Sequence, residues 1–195
     1  MADVVLGIDP GVYGAVGVLV VAGGGFVSVN VFPTRLFNGM RLVDDGALMH
    51  TCALIAAEHT IVAVAIERPV AIARNGHASD SGYAKLVESQ NLWMAALKPH
   101  TKGVPIGHPV PTKWQASVTA KMGGTTTKAR ADAFVQKTWP GVLDSFPPGA
   151  TERSVQTQIR TGVADALCIA EMGRRAYVIG GKAGVLALGK KASMR

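Results

Sequence analysis

Two strand-length apolar runs in this chain each end on a carboxylate, and that repetition constrains the fold more than any other feature. The first, VVLGID, closes on Asp9 and is followed at once by Pro10-Gly11; the second, TIVAVAIE, closes on Glu67 and is stopped by Pro69. A turn beginning directly after each acid puts both carboxylates at the carboxyl edge of a sheet, where loops open a cleft. Alternation places Asp9 on the face of Gly7 and Val5, and Glu67 on the face of Ala63 and Ala65. If the two strands are neighbours, the acids lie side by side, which is costly unless a cation bridges them. Capping of a turn is the commonest role of one Asp before Pro-Gly. Two matched acids point to a metal instead.

The surrounding pattern reads as α/β. Short β-branched runs at 4–9, 15–22 and 26–32, separated by Pro-Gly and Gly-Gly-Gly turns, predict an antiparallel three-stranded meander. Residues 33–45 read as irregular. Helical spacing of Leu48, Cys52, Ile55 and Ala56 over 45–59 leads into the strand ending at Glu67, and a strand reached through a helix is most easily parallel to the one it joins. Residues 70–91 lose the apolar rhythm, and a polar, Gly-punctuated stretch of that length implies function or mobility. A helix over 83–97 turns Leu86, Trp93 and Leu97 inward, GVPIGHPVP is a short strand, and TKWQASVTAKM is a short helix. A Thr-rich cap opens the next helix, which Pro140 ends. The last helix, 154–177, carries Ile159, Val163, Leu167 and Ala170 on one apolar face. One domain over 1–177 followed by a basic, Gly-rich and partly disordered tail over 178–195 is the expected organisation.

Charge narrows the partners. Lys and Arg outnumber Asp and Glu by 20 to 13 in 195 residues, a net charge of +7, which favours a polyanion over an acidic ligand-binding role. The two cysteines, Cys52 and Cys168, are too few and too far apart for a zinc knuckle or a disulfide framework, and fit a reducing compartment. There is no run of about twenty uncharged apolar residues and no basic, cleavable leader. The expectation is a soluble protein with no membrane partner.

A third acid, Asp165, interrupts the small-residue face of the last helix in RTGVADALCIAE; by itself it points either into the cleft or to solvent. Taken together, GIDPG with the following Gly-Ala, then IERP, then Gly-x-Ala-Asp-Ala-Leu-x-Ile-Ala resemble the ordered motifs of RuvC-type Holliday junction resolvases in the RNase H-like superfamily. The likeness runs over 4–177, nearly the whole chain. More narrowly, PTKWQ, TTTKARADA and ADALCIAEMGRR are similar to segments of the chloroplast resolvases and related phage enzymes. The resemblance implies an RNase H-like fold with a five-stranded mixed sheet, and brings Asp165 to the other two acids. It also exposes a departure: such resolvases carry an Asp or His one turn before the last acid, whereas here Gln158, Ile159, Arg160, Thr161 and Gly162 occupy that turn.

On this resemblance the activity is paired, symmetric nicking of four-way junctions by two-metal phosphodiester hydrolysis, with two Mg²⁺ or Mn²⁺ ions per site. Asp9 bridges the ions, Glu67 and Asp165 hold one each, and an all-oxygen ligand set favours these hard cations over zinc. Lys128, at a Thr-capped helix start, is placed near the scissile phosphate. Lys113, Lys121, Arg130, Arg160, Arg174 and Arg175 are candidate phosphate contacts, although each taken singly reads as a solvated charge. Arg74, Gly76, His77, Ser79, Asp80 and Tyr83 fall where resolvases of this branch enter the junction centre. His77, His100 and His108 read as loop histidines rather than ligands, and Trp93 and Trp114 as core. Two matched nicks imply a twofold homodimer, with the helix face of Leu86 and Trp93 as its candidate surface. Two further readings remain. One is another RNase H-like nuclease, and the other is a junction-binding protein that does not cut. An actin- or sugar-kinase-like ATPase fits poorly, since IDPGVYGA matches its phosphate loop imperfectly and the chain is too short for a second such domain, so no nucleotide cofactor is expected.

Overall fold

The apolar runs form the strands they predict. In a computed structural model, which describes residues 1–37, 40–70, 73–74, 77–78, 80–151 and 153–190, β1 (Ala2–Asp9) lies mid-sheet with Val4, Val5, Leu6 and Ile8 fully buried. β2 (Ala15–Val20) and β3 (Phe26–Val31) follow as the antiparallel meander. β4 (Thr34–Phe37) and β5 (Met40–Val43) then pair as a separate hairpin. The expected irregular stretch is therefore wrong there. Its overlooked signal is Asn38-Gly39 between two apolar-containing tetrapeptides, a dipeptide that favours tight hairpin turns.

Helix α1 (Asp45–Glu58) is capped by Asp44, whose carboxylate accepts from the Ala47 N–H at 3.0 Å. It leads into β6 (His59–Ile66), which pairs parallel to β1 in the register Gly7↔Ala65 and Ile8↔Ile66. Glu67 stands one residue beyond the strand rather than in it, but its N–H still donates to the Ile8 carbonyl at 2.9 Å. The short strands β7 (Ala73–Arg74) and β8 (His77–Ala78) precede α2 (Asp80–Leu97), which starts three residues earlier than the spacing predicts. β9 (Ile106–Gly107) adds a parallel edge beside β6, completing a five-stranded sheet of order β3-β2-β1-β6-β9. This is the mixed sheet expected: an antiparallel meander, then parallel strands. Among the described residues no helix is long and apolar enough to cross a membrane.

After β9 come α3 (Pro111–Val118), α4 (Thr127–Thr138) and α5 (Val155–Leu186). The sheet is buried on both faces because alternate residues of each strand serve different layers. Leu6, Ile8, Val16, Val18, Val64 and Ile66 pack with α1 and α2. Val5, Ala15, Leu19, Ala63 and Ala65 pack with α3, α4 and α5. Trp93 of α2 is fully buried in the first layer, its ring centroid 4.6 Å from that of Phe32. It is therefore core, as its apolarity suggests, and cannot form the dimer surface proposed for the Leu86 and Trp93 face. Leu86 is half-buried.

Helix α5 does not end at Tyr177. It continues to Leu186 across Gly181, whose φ of 55° interrupts the helix, a conformation open to glycine at little cost. Beyond that break Val185 and Leu188 are buried, and Lys182 donates to the Gly103 carbonyl at 3.0 Å. Val185, Leu188 and Gly189 thus pack against the sheet edge at Gly107 and His108, contacts that the basic composition of the tail conceals, whereas Val178 and Ile179 are exposed.

Candidate active site

The cleft is built where α5 crosses the carboxyl ends of β1 and β6. Close approach requires small residues: a Cβ on Gly7 would collide with the backbone of Ala166 and Ala170, and one on Gly162 with the Tyr13 carbonyl. Gly173 likewise rests against Ala65 and Val5. This stripe seats α5 on the sheet and brings Asp165, three residues after Gly162, over the Asp9 turn. Of the two directions open to the third acid in sequence, packing selects the cleft: Asp165 lies in the field of Asp9 and Glu67.

Asp9 fills the turn-capping role without leaving the cleft. Its Oδ1 accepts the Gly11 N–H at 3.0 Å, while the carboxylate as a whole sits among the other acids. Burial pushes Asp9 up to about 6, against the pull of the Gly11 N–H and Lys128. Burial and then the Asp9 charge push Glu67 up to about 8. Asp165 is raised well above the carboxylate range by burial, then by Asp9 and Glu67, and lowered by Lys128. Three carboxyls that each resist ionisation in this way define a site lacking positive charge.

Lys128, exposed in the first turn of α4, supplies part of that charge. Its helix starts at Thr126, whose hydroxyl accepts from the Ala129 N–H at 3.1 Å. Around Glu67 the support comes from residues that the sequence reading did not single out for this role. The Gln90 side chain bridges the Glu67 carbonyl at 3.4 Å and His108 Nδ1 at 3.2 Å. Trp114, read as core, is indeed buried. Its indole N–H makes no closed hydrogen bond among the described residues, yet it stands near enough to the Glu67 carboxyl to draw its pKa down. The PTKWQ segment was the signal available for it. Burial and Arg68 hold His108 below the ordinary histidine value, so a neutral ring is its form at pH 7.

Among the described residues no three His, Cys, Asp or Glu side chains form a ready-made set for one ion. This does not conflict with a hard divalent cation. Mg²⁺ typically takes one or two carboxylates and completes its shell with water and substrate phosphate, and three mutually repelling oxygen donors suit it. Thr161 is no substitute for an acid, because its hydroxyl donates back to the Thr157 carbonyl at 2.9 Å within the helix.

The candidate DNA contacts divide. Arg160 is the clearest correction: it chelates Asp132 at 2.7 and 3.0 Å, donates to the Leu143 and Phe146 carbonyls, and is only 13% exposed. Its guanidinium is engaged inside the fold, tying α4 to α5. Arg174 and Arg175 are likewise clamped on Glu171. Lys113 is exposed, with its ammonium donating to the Lys190 carbonyl at 2.8 Å. Lys121 is exposed, and Arg130 is half-buried with no partner for its Nε among the described residues. Tyr83 is 41% exposed on α2. The backbones of Arg74 and His77 pair across β7 and β8; Gly76 and Ser79, with the side chains of Arg74, His77 and Asp80, lie outside the described residues.

No family model and no curated protein matches the sequence. Among solved structures, a T. thermophilus RuvC in complex with Holliday junction substrate matches with a TM-score of 0.61 at 18% identity, over 91% of this chain and 96% of that one. The fold is that of RuvC. A second Thermus thermophilus RuvC structure agrees, with a TM-score of 0.55 at 21% identity over 91% and 97% of the two chains. The RuvC likeness is one of architecture, the RNase H-like mixed sheet with helices on both faces, and it extends through nearly the full length of both proteins.

The shared field of the acids has a measurable consequence. Because the folded protein keeps protons on Asp9, Glu67 and Asp165 that the unfolded chain releases near pH 4, folding binds protons between about pH 4 and pH 8. Stability of the metal-free protein therefore falls as pH rises through that window. A loss of a few kcal/mol lowers the melting temperature by roughly 5–10 °C in a chain of this size. Calorimetry in chelator from pH 5 to 8 should show this fall, with millimolar Mg²⁺ reversing it at pH 8 and Asp165→Asn flattening it. A melting temperature that is level across the range in all three would mean that the carboxyls do not share a site.

Proposed function

We propose that this chain is a divalent-metal-dependent endonuclease that resolves four-way DNA junctions. The carrying observation is the gathering of Asp9, Glu67 and Asp165 where α5 crosses the strand ends of a RuvC fold, each carboxyl raised by burial and the latter two also by their neighbours. Asp9, whose charge acts on both other acids, would be the shared ligand, with Glu67 and Asp165 each holding one of two Mg²⁺ or Mn²⁺ ions. Bound there, such ions supply an activated water and stabilise the leaving 3′ oxygen. The Gly11 N–H fixes one oxygen of Asp9, Gln90 holds the Glu67 backbone carbonyl, and the Trp114 indole lies near the Glu67 carboxyl. Lys128, whose charge reaches Asp9 and Asp165, offers a positive charge to the phosphate, and Lys113, Lys121 and Arg130 are further candidate phosphate contacts.

Paired nicks need two such sites in twofold relation, hence a homodimer, whose surface excludes the core residue Trp93. The order of PTKWQ, TTTKARADA and ADALCIAEMGRR supports a place beside the chloroplast and phage resolvases. Thr161, in the turn where such enzymes carry an acid or imidazole, favours a second reading, a junction binder that does not cut. Cleavage of four-way and linear duplex DNA of equal sequence, with and without Mg²⁺, tests both. Mg²⁺-dependent, symmetric nicks in the junction are expected. Equal cutting of linear duplex refutes resolvase activity, and tight binding without cutting selects the binder.

A further inference from the structure

Beside the Asp9 turn lies a second concavity that none of the preceding assignments uses. It is a cavity of about 180 Å³ walled by Val12, Arg35, Arg41, Lys85, Ser89 and their neighbours. Its elements are the β4–β5 hairpin, which contributes Arg35 and Arg41, and α2, which contributes Lys85 and Ser89. Ion pairs among the described residues join His59 to Glu58, Arg160 to Asp132, and Arg174 and Arg175 to Glu171. None of them takes up Arg35, Arg41 or Lys85. Asp45 and Glu88 share the wall, which leaves three cations against two acids. Even so, Glu88, three residues from Lys85 on the same helix, closes no ion pair with it among the described residues.

Two further observations mark this as a built site rather than a scatter of surface charge. Ser89 is 3% exposed, and its hydroxyl has no hydrogen-bond partner among the described residues. An orphaned buried hydroxyl is costly unless a ligand or water satisfies it. Arg41 is held in place, donating to Thr34 Oγ1 at 2.7 Å and lying 5.6 Å from the centroid of the Tyr13 ring. A guanidinium fixed by an aromatic face and a hydroxyl loses little freedom on meeting an anion.

Size selects the ligand. Pockets for drug-sized molecules run to about 300–1,000 Å³, so this one admits a phosphodiester group and not a nucleotide cofactor. Position selects the source: Val12 in the wall and Tyr13 beneath Arg41 belong to the turn that leaves Asp9. We infer that Arg35, Arg41, Lys85 and Ser89 form an anion subsite that grips a backbone phosphate of the DNA near the cleavage site. The inference rests on the nuclease reading above and adds to it a contact that positions the strand without doing chemistry.

Arg35→Gln/Lys85→Gln tests it, since both side chains are exposed and neither holds the fold. Lys98→Gln/Lys102→Gln, equal in charge and outside the pocket, is the control. Junction affinity is measured against salt by fluorescence anisotropy in Ca²⁺. The pocket variant should bind about tenfold or more weakly, with a log–log salt slope shallower by about two. In the parent itself, bound junction should protect Lys85 from acetylation, a readout that needs no variant. Unchanged affinity and slope, a loss no larger than that of the control, or an unprotected Lys85 in the saturated complex would overturn the subsite and leave the nuclease reading standing. A parent that binds no DNA at all would overturn both.

Discussion

Asp9→Asn and Glu67→Gln each slow junction cleavage by about 10²–10³-fold or more, the scale set by removing one group that stabilises developing charge, and leave junction affinity within a few-fold. Asp9 carries the larger loss, because its charge acts on both other acids and it is the only carboxyl proposed to serve two ions. The amides keep the local structure: Asn can still accept the Gly11 N–H that Asp9 Oδ1 accepts. They also remove repulsion within the cluster, so the metal-free variants melt higher than the parent at pH 8. Loss of cleavage joined to gain of stability distinguishes removal of a working carboxylate from damage to the fold. Single-turnover cleavage and anisotropy on the same preparations measure both, and a variant that cuts at the parent rate would show that the reaction is elsewhere.

Gly162→Ala is expected to impair both stability and cleavage through a single methyl group. A Cβ at this position would meet the Tyr13 carbonyl and crowd Gly14, and both contacts are rigid backbone rather than a side chain that could swing aside. Overpacking of this kind costs about 1–3 kcal/mol, or roughly 2–12 °C in melting temperature at this chain length. The helix can relieve the clash only by lifting off the β1–β2 turn, which carries Asp165 away from Asp9. A misplacement of about 1 Å costs on the order of 10²-fold in rate. The matching substitution Gly180→Ala, on the same helix where nothing lies within 4 Å of the added methyl, should leave both melting temperature and cleavage close to the parent. If Gly162→Ala melts and cuts as the parent does, α5 is not seated through this contact.

Several elements were legible because their signals are local. The runs ending at Asp9 and Glu67 are too apolar and too short for anything but buried strands, and the proline and glycine residues after them mark their ends. The Thr-rich cap before α4 announces a helix start through a short side chain that satisfies a free N–H group. The β4–β5 hairpin carries its signal in Asn38-Gly39, but strands of four residues are short enough to pass for irregular chain. Other features have no local signal. Arg160 looks the same in sequence whether it faces DNA or chelates Asp132 twenty-eight positions away. The face of Leu86 and Trp93 suits either the core or a partner, and only Phe32 against the Trp93 ring decides for the core. The basic tail hides Val185 and Leu188 among lysines and glycines.

The amino-acid order alone therefore determines that two acids stand at the ends of buried strands and that a small-residue helix is available to cover them, since periodicity and turn chemistry act over a few residues. Which acids meet, which cations remain free of internal partners among the described residues, and that Arg35, Arg41, Lys85 and Ser89 share one wall were decided by the tertiary structure. Electrostatic coupling depends on distance through space, and the distances among residues 9, 67 and 165 are set only when glycine and alanine let α5 come down onto the sheet.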